Sequence, residues 1–214
     1  MIVSDFYFDY ESEKLIYQSD QYGVTGERIG NKNAIENLCY GSFPAIWNKL
    51  IKKEIYIKNN IKFPSGISIG EDLGTTVFLF YYSQKIIKLK KAYLHYIQNS
   101  NSLTKKYKYT ALTDIYFVSN KIENFFRDKN YDSFIKNIKF IHLTTWIFKI
   151  KLKFKDESYK KILSEYLLLL EKKKTDTNKR KFVRYYFILR KLFNPILSFR
   201  IIWYLLYLKE KIRG

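Results

Sequence analysis

A single cysteine, Cys39, and two histidines, His95 and His142, stand in a chain of 214 residues. That rules out an internal disulfide framework and a cysteine-cluster zinc site, and it leaves little for a histidine-rich metal centre. Cys39 reads as a small buried hydrophobe in a reducing compartment and His142 as a packed residue on an apolar helix. Three prolines and eight glycines are too few to punctuate a turn-dense β architecture or a collagen-like chain, so helices should dominate at least part of the fold. No apolar run reaches the roughly 18 to 20 residues needed to cross a bilayer. Asp5 and Asp9 lie where a signal peptide would carry lysines. Neither a spanning segment nor an export signal is expected. No glycine-rich phosphate loop and no nucleophile elbow occurs.

Apolar side chains are plentiful, at 47% of residues with 19% aromatic, which is enough to fill a core and excludes disorder as the main state. The formal charge of +19 is unevenly placed. Residues 1–36 hold seven acids and three bases, whereas residues 172–214 hold thirteen bases and two acids and so carry +11. A uniformly basic nucleic-acid-binding surface does not fit an acidic start. A basic, aromatic nucleic-acid-binding protein or a helical interaction module therefore stands as the alternative reading.

Short strands are expected at Ile2 to Tyr10 and Leu15 to Gln18, both rich in β-branched and aromatic types and separated by a polar turn. A helix from Asn31 to Tyr40 and a second from Ala45 to Glu54, opened by Pro44, should follow. Glu71 to Tyr82 has helical length and acids in its first turn, where the macrodipole favours them. Strands are expected again at Lys85 to Leu89 and Ala92 to Gln98. Five helical stretches then run Thr110 to Arg127, Tyr131 to Phe154, Glu157 to Lys174, Lys179 to Phe193 and Pro195 to Ile212. The fold class is thus α/β in the N-terminal half and all-α in the C-terminal half. The expected divisions are 1–105, a helical extension over 106–178, and basic amphipathic helices over 179–214.

The segment from Phe43 to Leu73 carries the most specific pattern. Trp47, Asn48, Lys49 and Leu50 precede a loop of Phe63, Pro64, Ser65 and Gly66, and the acidic pair Glu71 and Asp72 then opens a helix. Tyr93 and Tyr96 follow on a strand, and Ser102 and Thr104 on a loop. In this order and spacing, residues 1 to 105 resemble the second half of the catalytic domain of family 2 glycosyltransferases, nucleotide-sugar-dependent enzymes of bacterial polysaccharide and cell-envelope glycan synthesis. The resemblance implies an inverting transfer with Asp72 as general base and Glu71 supporting it or binding acceptor. It also implies acceptor or donor contacts from Trp47, Asn48, Lys49, Tyr96 and Ser102. Without it, Glu71 and Asp72 read as ordinary first-turn acids, Trp47 equally as a core residue, and Lys49 as a solvated cation.

The family carries a nucleotide-binding half ahead of the strand that Ile2 to Phe8 matches. That half ends in an Asp-x-Asp motif holding a divalent metal, Mg or Mn, and the diphosphate. No Asp-x-Asp occurs in these 214 residues. The expectation is therefore a fragment that has lost its donor side, binds no metal alone and is inactive alone. In the complete enzyme the partners would be a nucleotide sugar and a saccharide or lipid-linked acceptor. Some relatives place a histidine near the metal, for which His95 is the candidate, although a hydrogen-bonded structural histidine is the default reading.

The tail suggests a peripheral position on the inner, cytoplasmic face of the cell membrane. Arg200, Trp203, Tyr204, Tyr207 and Lys209 are the expected contacts with an anionic membrane surface, as an amphipathic helix lying in the interface plane. No nucleic acid is expected as a partner.

Overall fold

The computed structural model describes residues 1–10, 15–18, 28–38, 43–98, 110–147, 156–172, 181–189 and 191–213. The elements run Ile2–Tyr10 (β1), Leu15–Gln18 (β2), Arg28–Ile29 (β3), Asn31–Asn37 (α1), Lys49–Leu50 (β4), Lys53–Lys58 (α2), Glu71–Tyr82 (α3) and Ile86–Gln98 (β5). Five helices complete the chain: Ala111–Phe126 (α4), Asp132–Ile147 (α5), Glu157–Glu171 (α6), Lys181–Leu189 (α7) and Pro195–Arg213 (α8). The N-terminal half is α/β and the C-terminal half is helical.

β1 is the central strand. Its β-branched and aromatic residues suit a pleated surface, and Val3, Ser4, Asp5 and Phe6 are buried in succession because both faces of the sheet are covered there. On one side β1 pairs antiparallel with β2 and, at Ile2 and Val3, with β4. On the other it pairs parallel with β5, whose first residues also pair antiparallel with β3. A parallel partner needs a crossover, and α1, α2 and α3 fill it. The pairing of β1 with β5 slips between Ser4 and Asp5 and again between Asp5 and Tyr7. The first of these bulges falls where a break between two separate strands was expected. Lys90 and Lys91 are accommodated as extra residues in one continuous strand.

Across this pair Lys88 donates to the fully buried Asp5 carboxylate, which also accepts the Tyr17 hydroxyl from β2. Two ionised groups out of water are tolerable only when paired, and here the pair locks three strands in register. The hydrogen bond to Asp5 is the main reason the Tyr17 phenol is pushed up to about 12.

Residues 45–54 do not form the expected helix. Instead the Lys49 ammonium gathers the carbonyls of Phe43 and Ala45, at 2.9 and 2.6 Å, and the Asn48 side-chain oxygen at 2.7 Å. The Asn48 amide donates to the Ser4 carbonyl at 3.0 Å, and the Ser4 amide returns a bond to the Asn48 carbonyl. Side-chain bonds to the backbone and pairing with β1 outcompete the local helical ladder. α2 begins only at Lys53.

Two apolar clusters organise the interior. One joins Val3 and Ile86 of the sheet to Leu73, Val77 and Phe80 of α3 and to Val118, Ile122 and Phe126 of α4. The other is helical, with Leu143 and Trp146 of α5, Ile162 and Tyr166 of α6, Tyr186 of α7 and Phe199 and Trp203 of α8. α6 starts on Asp156, whose carboxylate accepts the Ser158 amide as a cap. Trp203 corrects one expectation. It is only 6% exposed and its indole N–H donates to the Ile147 carbonyl at 2.9 Å, so it serves the core and cannot sit at a lipid boundary. The side chains of Tyr207 and Lys209 lie outside the described residues, as do Cys39, Ser102 and Thr104. Among the described residues no helix is long and apolar enough to cross a membrane.

Candidate functional site

α3 opens on Gly70, whose φ of 93° lies in the left-handed region, and a Cβ there would come within 2.6 Å of the Ile115 side chain. Only glycine meets both demands without strain. α4 fixes the approach to this turn at further points. The Asp114 carboxylate accepts the Ser68 amide at 3.0 Å, and Gly74 packs where a Cβ would stand 3.0 Å from Pro64 and 3.1 Å from Val118. The first turn of α3, with Glu71 and Asp72, is therefore positioned by the helical half of the chain.

Two bonds tie α3 to the loop before β4. The Thr76 hydroxyl donates to the Pro44 carbonyl, and the Asp72 carboxylate accepts the Ile46 amide. Asp72 is half-buried. Its burial, with the charge of Glu71, raises its pKa above the usual carboxylate range, while the Ile46 amide and the Lys49 ammonium oppose that rise. The group is thus a carboxylate of raised basicity, held in direction by backbone rather than by a mobile side chain.

One residue beyond that amide, the Trp47 ring stacks on Tyr96 of β5 with centroids 4.8 Å apart and planes 8° from parallel. Its edge meets Phe6 at 4.7 Å, and Phe43 and Phe8 extend the aromatic group. Trp47 remains 36% exposed, so it belongs to the packing and also offers a surface. The loop before β4 thus links two groups: Asp72 contacts its Ile46 and feels the charges of Glu71 and Lys49, while its Trp47 stacks on Tyr96. Lys49 pairs near the start of β1, at Val3, and Tyr96 further along it, at Phe8. Lys49 spends its donors on Phe43, Ala45 and Asn48, and Asn48 is 2% exposed and bonded to Ser4; both shape the loop that holds Asp72.

His95 stands apart from this group. Its Nδ1 lies 3.2 Å from an Asp9 carboxylate oxygen across the β1–β5 pair, and its ring tilts against Tyr7. Among the described residues no group of three or more His, Cys, Asp or Glu side chains converges as a metal site. Asp9 and His95 offer two donors, short of what a divalent ion takes from protein in a dedicated site.

A second polar cluster escaped sequence reasoning. Lys139 of α5 donates to Glu123 at 2.8 Å, to Glu165 at 3.1 Å and to Asn120 at 2.6 Å, and Glu165 also accepts the Tyr116 hydroxyl. Burial alone would lower the Lys139 pKa, but the two carboxylates outweigh it and hold the ammonium above the ordinary lysine range. Its signal was present: Lys139 falls on the core stripe of α5, four residues from both Ile135 and Leu143.

No protein-family model, curated protein or solved structure matches the chain.

Proposed function

We propose that residues 1–105 are the acceptor side of an inverting, nucleotide-sugar-dependent glycosyltransferase of the family 2 type, working in bacterial polysaccharide or cell-envelope glycan synthesis. The observation that carries this reading is Asp72: a carboxylate of raised basicity at a helix start, aimed by the amide of Ile46, the residue before the partly exposed Trp47. In the reaction Asp72 takes the proton of the acceptor hydroxyl as its oxygen attacks the anomeric carbon. The bond from that carbon to the nucleotide diphosphate breaks, and the diphosphate leaves with the electron pair. The face of Trp47, backed by Tyr96, supplies an apolar platform for the C–H face of an acceptor ring. Glu71 raises the basicity of Asp72 through its charge.

A donor nucleotide would need an Asp-x-Asp-type pair holding a Mg or Mn ion, which would stabilise the departing diphosphate, and these 214 residues contain no Asp-x-Asp. The enzyme works at the inner, cytoplasmic face of the cell membrane, where a lipid-linked acceptor would be held.

Turnover with common nucleotide sugars tests the proposal. The 214-residue chain alone should show none. With a donor half supplied, fused or in trans, Asp72→Asn should lower turnover by roughly 10² to 10⁴, as for loss of a general base, and Glu71→Gln should cost less. Equal and mild effects of the two substitutions would assign the base elsewhere.

A further inference from the structure

α7 and α8 turn their inner sides into the helical cluster, burying Tyr186, Ser198, Phe199, Ile202 and Trp203. The turn between them and the first turn of α8 present bulky apolar groups to solvent instead. Leu192 is 74% exposed, Ile188 57%, Ile196 50% and Leu197 41%. Such a grouping around one turn marks an interaction surface rather than the scatter of single apolar residues that every protein shows.

The charge around it selects the occupant. Lys191 and Arg200 are exposed beside Leu192 and Ile196. An anionic bilayer satisfies both features at once, since aliphatic tips enter the acyl boundary while Lys and Arg remain at the level of the lipid phosphates. A bare apolar partner surface would offer Lys191 no counter-charge.

We propose that the α7–α8 turn, led by Leu192 and Ile196, is a wedge that inserts into the headgroup region of an anionic bilayer. It replaces the in-plane helix anchored by Trp203, whose indole is committed to the core. The proposal rests on the inner-face reading above but is independent of glycosyl transfer.

The test is co-sedimentation of the full 214-residue chain with vesicles of two parts phosphatidylcholine to one part phosphatidylglycerol, against phosphatidylcholine alone. Binding should require the anionic lipid and weaken with salt. Leu192→Ser with Ile196→Ser should reduce partitioning about tenfold, from the lost insertion of two aliphatic side chains. Leu192→Ser alone, in the turn, should give part of that loss with unchanged circular dichroism. Leu168→Ser, an equally exposed leucine on α6, should leave binding within about twofold. Anionic binding that all these variants share with the parent would overturn the wedge and leave the inner-face reading standing. No binding of the parent at low salt would overturn both. A self-association abolished by Leu192→Ser, with vesicle binding unaffected, would show a second copy as the occupant and end the proposal.

Discussion

At Asp72, burial and the neighbouring Glu71 carboxylate raise the proton affinity, and the Ile46 amide and Lys49 do not fully offset them. A carboxyl group whose folded-state pKa is raised binds protons more readily in the folded chain than in the unfolded one. Its penalty is absent below the unfolded pKa of about 3.9 and grows as pH rises through the folded value. Asp72→Asn, which keeps an oxygen to accept the Ile46 amide, should therefore raise the melting temperature at pH 7, and the gain should vanish near pH 3.5. A melting series over that range checks it, and a loss of stability at neutral pH would contradict the assigned direction. The place of Asp72 in the first turn of a helix was legible in the sequence because acids at a helix start are a local signal. Its contact with Ile46 was not, because the loop that supplies the amide depends on how Lys49 and Asn48 spend their hydrogen bonds. Likewise the pairing of Asp5 with Lys88 joins positions on two strands whose parallel register no local pattern announces.

Elements with strong local signals were readable to within a residue or two. β1, β2 and α3 fall where alternation, aromatic content and first-turn acids place them, and α8 starts on its proline. The failure at residues 45–54 is equally physical, since the Ser4–Asn48 bonds come from a strand more than forty residues away. The two expected strands around Lys90 are one, because a bulge hides two residues without ending the ladder. The entry to α3 makes a prediction for this scale. Gly70→Ala puts a Cβ into the left-handed region and against Ile115, and should destabilise by about 1–3 kcal/mol in urea unfolding. Adding Ile115→Val removes the nearest atom, so the double variant should be more stable than the sum of the single effects implies. Strict additivity would mean that the contact with α4 does not set the turn.

The two apolar clusters are not separate bodies. α4 places Ala111, Leu112 and Ile115 in the helical cluster and Val118, Ile122 and Phe126 in the one beneath the sheet, and Ile141 of α5 packs against both. α5 does the same with Ile135 and Ile138 beneath the sheet and Leu143 and Trp146 in the helical cluster, and two helices crossing both cores couple them, so the chain should unfold in a single transition. Single-tryptophan variants retaining Trp47 at the sheet or Trp203 in the helical cluster should report the same denaturant midpoint, and separated midpoints would show the clusters coming apart. The division into an α/β half and a helical half was legible from the change in periodicity. Their sharing of α4 was not, because it depends on which helix faces meet. The parallel pairing of β1 with β5, finally, has a consequence in time. Ile2 meets Ile87 and Tyr10 meets Gln98, so a ribosome must make most of a hundred residues before the first strand acquires that neighbour. At about 5–20 residues per second the wait is on the order of 5 to 20 seconds. Meanwhile the nearby β2 can close only one edge of β1, and the other edge remains open to foreign strands until β5 emerges.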